Sequence, residues 1–425
     1  MPVSDIRDAL RHRQHAYQPA PGAFDRLVRR RHRKERAKRL STVAVASLVC
    51  GATFWALLPL SGLEPRSAAP PIDRSTVSGL GVAWTSGVGD APTAPVVHDD
   101  RVFVGTGSGV LYALDARGGH VVWVGRLRGS IESAPAILGD QVVVHTTSGV
   151  LAAFETGCGT GGETCLPAWT AYTADEDGSP PSVVDGVLYV QAGNDRMLAF
   201  EGCSSGPCDP AWIGQAQSGR LRSPVAPAVV NGSVWTVLGT DTVVFPERCD
   251  RVCEPTQSQF AGSMAIGPVV GDQLVVLGSS TGYLYGFRAD CPGRCRAVWR
   301  ARADAPTTPA VDDGVVFVSG APGGGLAAVP ESCRSAGTAC EPRWVGDING
   351  SPTSPVITVG GVVYVGSSDG NLYAFATACD RACSPAASVR VGSSAQGLAV
   401  WADRMLFLTA ADGTLRALTV GGIEP

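Results

Sequence analysis

An internal repeat of about 43 residues runs through most of this 425-residue chain and limits the folds that it can adopt. Each unit opens with a dipeptide such as Ala94-Pro95, continues with two short apolar runs bounded by turns, and ends with a run like LYAL and a Trp. The dipeptides recur at steps of 40, 46, 46, 41, 41, 46 and 42 residues, and the last copy, Gln396-Gly397, is degenerate. This period is typical of four-stranded propeller blades rather than of helical repeats.

The residues within the repeat favour strands. Runs such as VFV, LYV and VVYV are short and rich in β-branched or aromatic residues, and Asp-Gly, Asn-Gly and Gly-Gly turns bound several of them. The 53 glycines and 30 prolines exceed ordinary usage and agree with a chain of many turns. The sequence therefore predicts an all-β fold.

A single Trp near the end of most units would wedge between neighbouring sheets. These blade-docking residues are Trp84, Trp123, Trp169, Trp212, Trp299 and Trp344, while Thr256-Gln257 and Ser388-Val389 take the place of the Trp in two units. The eighth unit ends at residues 415–420 without a Trp strand, but residues 81–85, which contain Trp84, can complete it. We predict an eight-bladed β-propeller of four-stranded antiparallel blades over residues 79–420, closed by an N-terminal outer strand and followed by a tail at 421–425.

Charge is distributed unevenly along the chain. Residues 1–40 carry twelve Lys or Arg and four Asp or Glu, whereas the remaining residues carry 22 and 34, a net charge of −12. Nucleic-acid binding requires a basic face that neutralises phosphates. An acidic body of this size therefore excludes nucleic acid as a partner of the propeller.

An uncharged stretch of 24 residues, 40–63, follows the basic segment. A helix of this length is about 36 Å long, enough to cross a hydrocarbon core of about 30 Å. A signal peptide cleaved near Ser67-Ala68-Ala69 and a lipoprotein at Cys50 are alternatives, but the preceding polar region is too long for a signal peptide. The positive-inside rule then places the basic tail, 1–39, in the cytoplasm and the propeller outside the cell membrane, with an extended linker at 64–78.

Thirteen cysteines agree with this topology. Cys50 lies in the predicted span, and the other twelve form six close pairs: Cys158 and Cys165, Cys203 and Cys208, Cys249 and Cys253, Cys291 and Cys295, Cys333 and Cys340, and Cys379 and Cys383. Zinc knuckles and redox motifs are the alternatives, but there is no CxxC and no His beside any pair. We predict local disulfides, formed in an oxidising compartment, that stiffen loops rather than hold the domain together.

Residues 113–123, ALDARGGHVVW, resemble the tryptophan-docking motif of pyrroloquinoline-quinone-like (PQQ-like) propeller repeats, in which Ala-x-Asp-x-x-Thr-Gly precedes a Trp. The resemblance covers about residues 79–420, although Cys-closed loops replace the Asp-x-x-Thr-Gly turn in units two to seven. It implies a propeller fold. The family includes quinoprotein dehydrogenases and non-enzymatic scaffolds, such as the assembly lipoprotein of the outer-membrane insertion machine.

The two kinds of family member differ in their cofactor residues. The resemblance implies that an alcohol dehydrogenase would stack the quinone on a disulfide between adjacent cysteines and bind Ca²⁺ with carboxylates and amides. This chain has no Cys-Cys, and it contains no GxSxG, HExxH or phosphate-loop motif. We therefore predict no catalytic, cofactor or metal site, with a PQQ-dependent quinoprotein dehydrogenase as the alternative.

A ligand face is expected where the loops before the inner strands converge on the central funnel. The charged residues predicted there are Glu132, Asp175, Glu176, Asp177, Arg220 and Arg222. Solvated loop charge is the alternative interpretation of these residues. A protein or peptide is the partner that a rigid face of loops favours.

The N-terminal tail carries a second set of predictions. Ile6 and Leu10 fall near one helical face, and Phe24 and Leu27 begin a second apolar pattern. The tail resembles those of actinobacterial membrane proteins with extracytoplasmic sensor or propeller domains. Anionic-lipid binding is one interpretation of its basic residues, and a cytoplasmic protein partner is the other.

Overall fold

Eight sheets follow one another along the chain, so the predicted eight-bladed, all-β propeller is confirmed. The computed structural model describes residues 70–421 apart from 174–178, 194–195, 217–224, 239–240, 261–263, 280, 291–294, 305, 322–323, 334–337 and 402–403. Within these residues the only helical element is a 3-10 turn, Val77–Gly79. Because alternate residues of each strand meet a neighbouring sheet, the core consists of apolar layers between consecutive blades.

Strand β1 (Leu80–Gly87) opens the domain, and blades one to four follow. The segment of a blade is the stretch of chain that forms its four main strands, and some segments also contain a short strand that pairs with the preceding blade. Blade one contains β2 (Val96–His98), β3 (Arg101–Gly105), β4 (Val110–Asp115) and β5 (Val121–Arg126). The segment of blade two contains β6 (Ala136–Leu138), β7 (Gln141–His145), β8 (Val150–Glu155), β9 (Glu163–Cys165) and β10 (Trp169–Tyr172). The segment of blade three contains β11 (Ser182–Val184), β12 (Val187–Ala192), β13 (Arg196–Phe200), β14 (Gly206–Pro207) and β15 (Trp212–Gln215). The segment of blade four contains β16 (Ala228–Val230), β17 (Ser233–Leu238), β18 (Asp241–Pro246), β19 (Arg251–Cys253) and β20 (Gln257–Phe260).

Blades five to eight repeat the pattern. Blade five contains β21 (Met264–Val270), β22 (Leu274–Ser279), β23 (Tyr283–Arg288) and β24 (Trp299–Arg302). Blade six contains β25 (Ala310–Asp312), β26 (Val315–Ser319), β27 (Leu326–Pro330) and β28 (Trp344–Gly346). The segment of blade seven contains β29 (Ile357–Val359), β30 (Val362–Gly366), β31 (Asn371–Ala376), β32 (Arg381–Cys383) and β33 (Ala387–Arg390). Blade eight contains β34 (Ala395–Trp401), β35 (Met405–Ala410) and β36 (Thr414–Val420), together with β1.

The ring closes as the sequence predicts. Strand β1 pairs antiparallel with β36, from Leu80 opposite Val420 to Gly87 opposite Thr414. The chain therefore begins and ends in the same blade. Without β1, the edge of β36 would have no partner.

Each docking Trp stands opposite a small residue on the third strand of its own blade. The six opposing residues are Ala417, Ala113, Ala153, Ala199, Gly286 and Ala328. A methyl group or a hydrogen leaves room for the indole, which then reaches the next blade. Trp123, for example, packs between Phe103 of blade one and Phe154 of blade two, and its Nε1 donates to the carbonyl oxygen of Thr156 at 3.0 Å.

Two blades lack this Trp, and the structure corrects the position in one of them. In blade seven the residue at the Trp position is Ala387, opposite Ala374, and not Ser388-Val389. In blade four Gln257 stands opposite Val244, within the predicted Thr256-Gln257. Trp235 of β17, also opposite Val244, is buried and packs against Phe287 of blade five.

The predicted disulfide pairs lie on the lower face, which we define by the loops between third and fourth strands and the turns between first and second strands. Five pairs are bonded, with Cα–Cα distances of 5.7–6.2 Å. Cys295 is also disulfide-bonded, but its predicted partner, Cys291, lies outside the described residues.

The disulfide loops do more than stiffen themselves, which corrects the prediction from the sequence. Four of them reach back to the preceding blade and add a short parallel fifth strand beside its Trp strand: β9 on β5, β14 on β10, β19 on β15 and β32 on β28. Cys165 and Cys253 are buried in the same clusters as Trp123 and Trp212. The loops therefore cover edges and indoles that would otherwise be open to water, and they join neighbouring blades.

The described part of the predicted linker is also packed rather than free. Residues 70–79, which we call the N-terminal strap, lie against blade seven. Ile72 and Val77 are each only 1% exposed, in a cluster with Tyr364 and Ala374. They fill space beside blade seven, one of the two blades that lack a Trp. Burial of apolar side chains is favourable, so Ile72 and Val77 pack against the blade instead of remaining in an extended linker.

Arg74 fixes the strap to the lower face of blade seven. Its Nε donates to the carbonyl oxygen of Gly361 at 2.9 Å, and its Nη2 donates to Oγ1 of Thr377 at 2.6 Å. Strand β1 is the fourth strand of blade eight. The strap precedes β1 just as a disulfide loop precedes the fourth strand in other blades. It therefore replaces that loop where the chain termini interrupt the blade.

No helix in residues 70–421, as far as they are described, is long and apolar enough to cross a membrane. The predicted span, 40–63, and the basic tail, 1–39, lie outside the described residues.

Candidate functional site

The predicted ligand face corresponds to the upper face, which carries the loops between blades and the turns between second and third strands. Glu132 is exposed there, between the buried residues Ile131 and Ser133, so its carboxylate faces solvent. The other predicted residues, Asp175, Glu176, Asp177, Arg220 and Arg222, lie outside the described residues. Their convergence on the funnel therefore stays a prediction.

Side-chain hydroxyls fix the roots of several upper loops. The hydroxyl of Thr93, just before blade one, accepts a hydrogen bond from the Gly105 N–H at 3.1 Å. Ser179 accepts from the N–H of Gln191 at 2.9 Å, and Ser354 accepts from that of Gly366 at 2.8 Å. Each bond ties the entry of an inner strand to the end of the second strand. The upper face is thus held by a repeated buried polar layer.

Gln191 extends this layer from blade three to blade four. Its side-chain Nε2 donates to the carbonyl oxygen of Val237 at 2.9 Å and to Oγ1 of Thr236, while its Oε1 accepts from the N–H of Val225 at 3.3 Å. The side chain is fully buried, and its amide is satisfied at both ends. It braces the two blades beneath the upper loops.

His145 occupies the same repeat position in blade two, and its role was not anticipated from the sequence. Its Nε2 lies 2.9 Å from the hydroxyl of Thr173, and its Nδ1 lies 3.2 Å from the carbonyl oxygen of Ser179. Because a carbonyl oxygen can only accept, Nδ1 carries the proton. Burial lowers the pKa of His145 to about 4, and the hydrogen bond to Ser179 only partly opposes this. The ring is therefore neutral at pH 7 and braces blade two against blade three.

Acid should weaken this brace selectively. The pKa of His145 lies near 4 in the folded chain and near 6.5 in the unfolded chain, so the unfolded state takes up the proton first as the pH falls. We expect the loss to develop between pH 6.5 and 4 and to reach about 3 kcal/mol. Denaturant unfolding of wild type and His145→Gln at pH 7, 5.5 and 4 measures it. Gln already occupies the equivalent position in blade three, so the variant should fold and lose less stability in acid. Parallel pH curves for the two proteins would contradict the expectation.

Comparison with known sequences identifies the family. The family described as outer membrane protein assembly factor BamB matches residues 42–176 and 162–382, which together span about four fifths of the chain. The chain belongs to this family of PQQ-like propellers. No curated protein matches its sequence significantly.

Solved structures agree with this PQQ-like propeller in fold. BamB from Moraxella catarrhalis superposes with a TM-score of 0.59 at 16% identity, over 80% of this chain and 97% of that one. The computationally designed Ika8 protein superposes with a TM-score of 0.62 at 12% identity, over 79% of this chain and 98% of that one. The quinohemoprotein alcohol dehydrogenase of Comamonas testosteroni superposes with a TM-score of 0.62 at 12% identity, over 84% of this chain and 79% of that one. At these identities the likeness shows the fold alone.

In the part of the chain that the structure describes, the residues of this PQQ-like propeller do not fit the quinone and Ca²⁺ of the dehydrogenases. The sequence contains no adjacent cysteines, and the bonded pairs lie on the lower face. In the described part of the chain, no three His, Cys, Asp or Glu side chains are arranged to hold a metal ion. The carboxylate of Asp369, on the upper face, is already bonded to its own turn through the Asn371 N–H at 2.9 Å and the Tyr373 hydroxyl at 2.6 Å. Although burial would raise the pKa of Asp369, these hydrogen bonds lower it, so the group is a poor base.

Proposed function

We propose that this protein is a membrane-anchored scaffold whose propeller lies outside the cell membrane and binds a protein or peptide partner on its upper face. Residues 40–63 form the anchor in this proposal, and residues 1–39 lie in the cytoplasm. The propeller is not an enzyme. The observation that carries the proposal is the closed ring whose upper loops are rooted in buried hydrogen bonds.

The family supports a scaffold role. Its description names an outer membrane protein assembly factor, and the assembly of proteins requires contact with them. A face that is rigid before binding loses little conformational entropy when a partner docks. Disulfide loops that join neighbouring blades add to this rigidity.

The cytoplasmic tail allows two versions of the proposal. In the scaffold version its basic residues bind anionic lipid and orient the anchor. In the sensor version the tail also holds a cytoplasmic protein. A single span transmits the state of a rigid propeller poorly, which favours the scaffold.

Crosslinking in native cells followed by mass spectrometry tests the proposal. We expect extracytoplasmic partners crosslinked to wild type, and we expect their yield to fall in the upper-face variant Glu132→Lys but not in the lower-face variant Asp140→Lys. A third variant replaces Ile6, Leu10, Phe24 and Leu27 with Ser. Loss of a specific cytoplasmic partner in that variant would support the sensor version. Full-length protein that is not retained in the membrane fraction, or that oxidises alcohols with added quinone and Ca²⁺, would overturn the proposal.

A further inference from the structure

A cavity of about 330 Å³ opens on the lower face around blade five, away from the proposed partner face. The turns and strand ends of blades four, five and six contribute to its wall. Its wall includes Asp272, Leu274, Arg288, Asp290, Val298 and Glu331. Its volume is at the small end of the range for ligand pockets.

Glu331 is the most buried charged side chain of this cavity, with an exposure of 6%. Its Oε1 accepts hydrogen bonds from the backbone N–H groups of Gln273 at 2.9 Å and Leu274 at 2.7 Å. A Cβ at Gly271 would lie 2.6 Å from this oxygen, so only glycine lets the carboxylate approach the turn. Oε2 of Glu331 has no hydrogen-bond partner among the described residues.

The charge of Glu331 is not compensated by a cation in the described part of the chain. Arg288, which lines the same cavity, forms a two-pronged ion pair with Asp290, at 2.9 Å from Nε to Oδ1 and 2.8 Å from Nη2 to Oδ2. Asp272, a further carboxylate of the wall, has no ion pair there either. The cavity thus keeps two uncompensated negative charges, one of them nearly buried. Burying a carboxylate without a counter-ion is costly, and a cation would relieve that cost.

The rest of the wall decides which kind of cation fits. Leu274 and Val298 supply apolar surface, and the Cys333–Cys340 disulfide lies beside them. In the described residues no three potential ligands are arranged for a metal ion. We propose that the cavity binds a primary ammonium group on an aliphatic stem, with the ammonium at Glu331 and Asp272 and the stem along Leu274 and Val298. A free alkyl amine and a lysine side chain of a peptide share this chemistry.

Blade two provides an internal control. Its turn, Gly139-Asp140-Gln141, has the same three residue types as Gly271-Asp272-Gln273. The residue of the following blade that corresponds to Glu331 is Gly202, because each stands three positions after the Ala that opposes a docking Trp. Blade two therefore has the turn and its aspartate without the buried carboxylate, and it should not bind the ammonium.

Calorimetric titration of the full-length protein in detergent with n-pentylamine, n-pentanol and the peptide acetyl-Gly-Lys-Gly-amide tests the site. We expect saturable binding of pentylamine at least 10-fold tighter than that of the uncharged pentanol. Glu331→Gln keeps an oxygen for the two N–H groups and should weaken pentylamine binding at least 10-fold. Asp140→Asn should leave it unchanged. Binding of the peptide more tightly than pentylamine would assign the site to a lysine side chain, and the reverse would assign it to a free amine.

A second variant guards against misfolding of Glu331→Gln. Asp272 is exposed, so Asp272→Asn should fold normally and weaken pentylamine binding about threefold, the effect of one partly screened charge. Equal binding of pentylamine and pentanol, or equal loss in Asp272→Asn and Asp140→Asn, would overturn the proposal. Neither result bears on the partner at the upper face, so this site and the scaffold role can fail independently.

Discussion

A fragment that begins at Gly89 should not form a stable ring, whereas a fragment that begins at Ala68 should fold. The shorter fragment lacks β1, so the edge of β36 loses the partner that it has from Thr414 to Val420. It also lacks Trp84, which is buried and donates from Nε1 to the carbonyl oxygen of Ala116 at 3.2 Å. Loss of a buried Trp alone costs about 3–5 kcal/mol, and the whole deletion should cost more. A domain's net stability is about 5–15 kcal/mol, so little should remain.

An intermediate fragment that begins at Leu80 separates the strap from the closing strand. It keeps β1 and Trp84 but loses Ile72 and Val77, whose burial is worth about 1.5–3 kcal/mol each. We expect a folded fragment with its urea midpoint between those of the other two. Urea unfolding followed by circular dichroism measures the series. Equal midpoints for the fragments from Ala68 and Leu80 would show that the strap is an ordinary linker, and equal midpoints for all three would contradict the closure.

Trp123→Ala should destabilise the propeller by about 3–5 kcal/mol, because it empties space between two blades. The Trp123 ring lies 5.8 Å from both Phe103 and Phe154, centre to centre, and it is fully buried. Trp123→Phe keeps a ring between these two partners but loses the hydrogen bond to Thr156. We expect it to cost about half as much. Equilibrium urea unfolding gives both values.

The opposing strand offers a matched test of the same packing. Ala113 stands opposite Trp123, and in blade four the corresponding residue is Val244, where the fourth strand has Gln257 instead of Trp. Ala113→Val should therefore crowd the indole and cost about 1–3 kcal/mol in the Trp123 background. The same substitution should be tolerated better together with Trp123→Ala. Additive losses in the double variant would mean that the small residue is not required by the Trp.

The candidate site was predicted less completely than the fold. Glu132 lies on the expected face, but five of the six charged residues predicted there are outside the described residues. His145 and Gln191 could have been noticed, because two large polar residues occupy a repeat position that is Gly105 or Gly366 in other units. The neutral state of His145 and the satisfied amide of Gln191 could not have been predicted. Both depend on Thr173, Ser179 and Val225, which approach these side chains only in the folded ring.

The sequence by itself determined the eight blades, the strand pattern, the docking Trp positions in six of them and the strand that closes the ring. These features repeat about every 43 residues, and a periodic pattern identifies elements without knowledge of their contacts. Only the tertiary structure decided that disulfide loops add strands to the preceding blade, that the strap fills blade seven beside Ala387, and that Glu331 is buried against the turn of blade five. Each of these features depends on how one blade meets the next, so no local pattern in the chain records it.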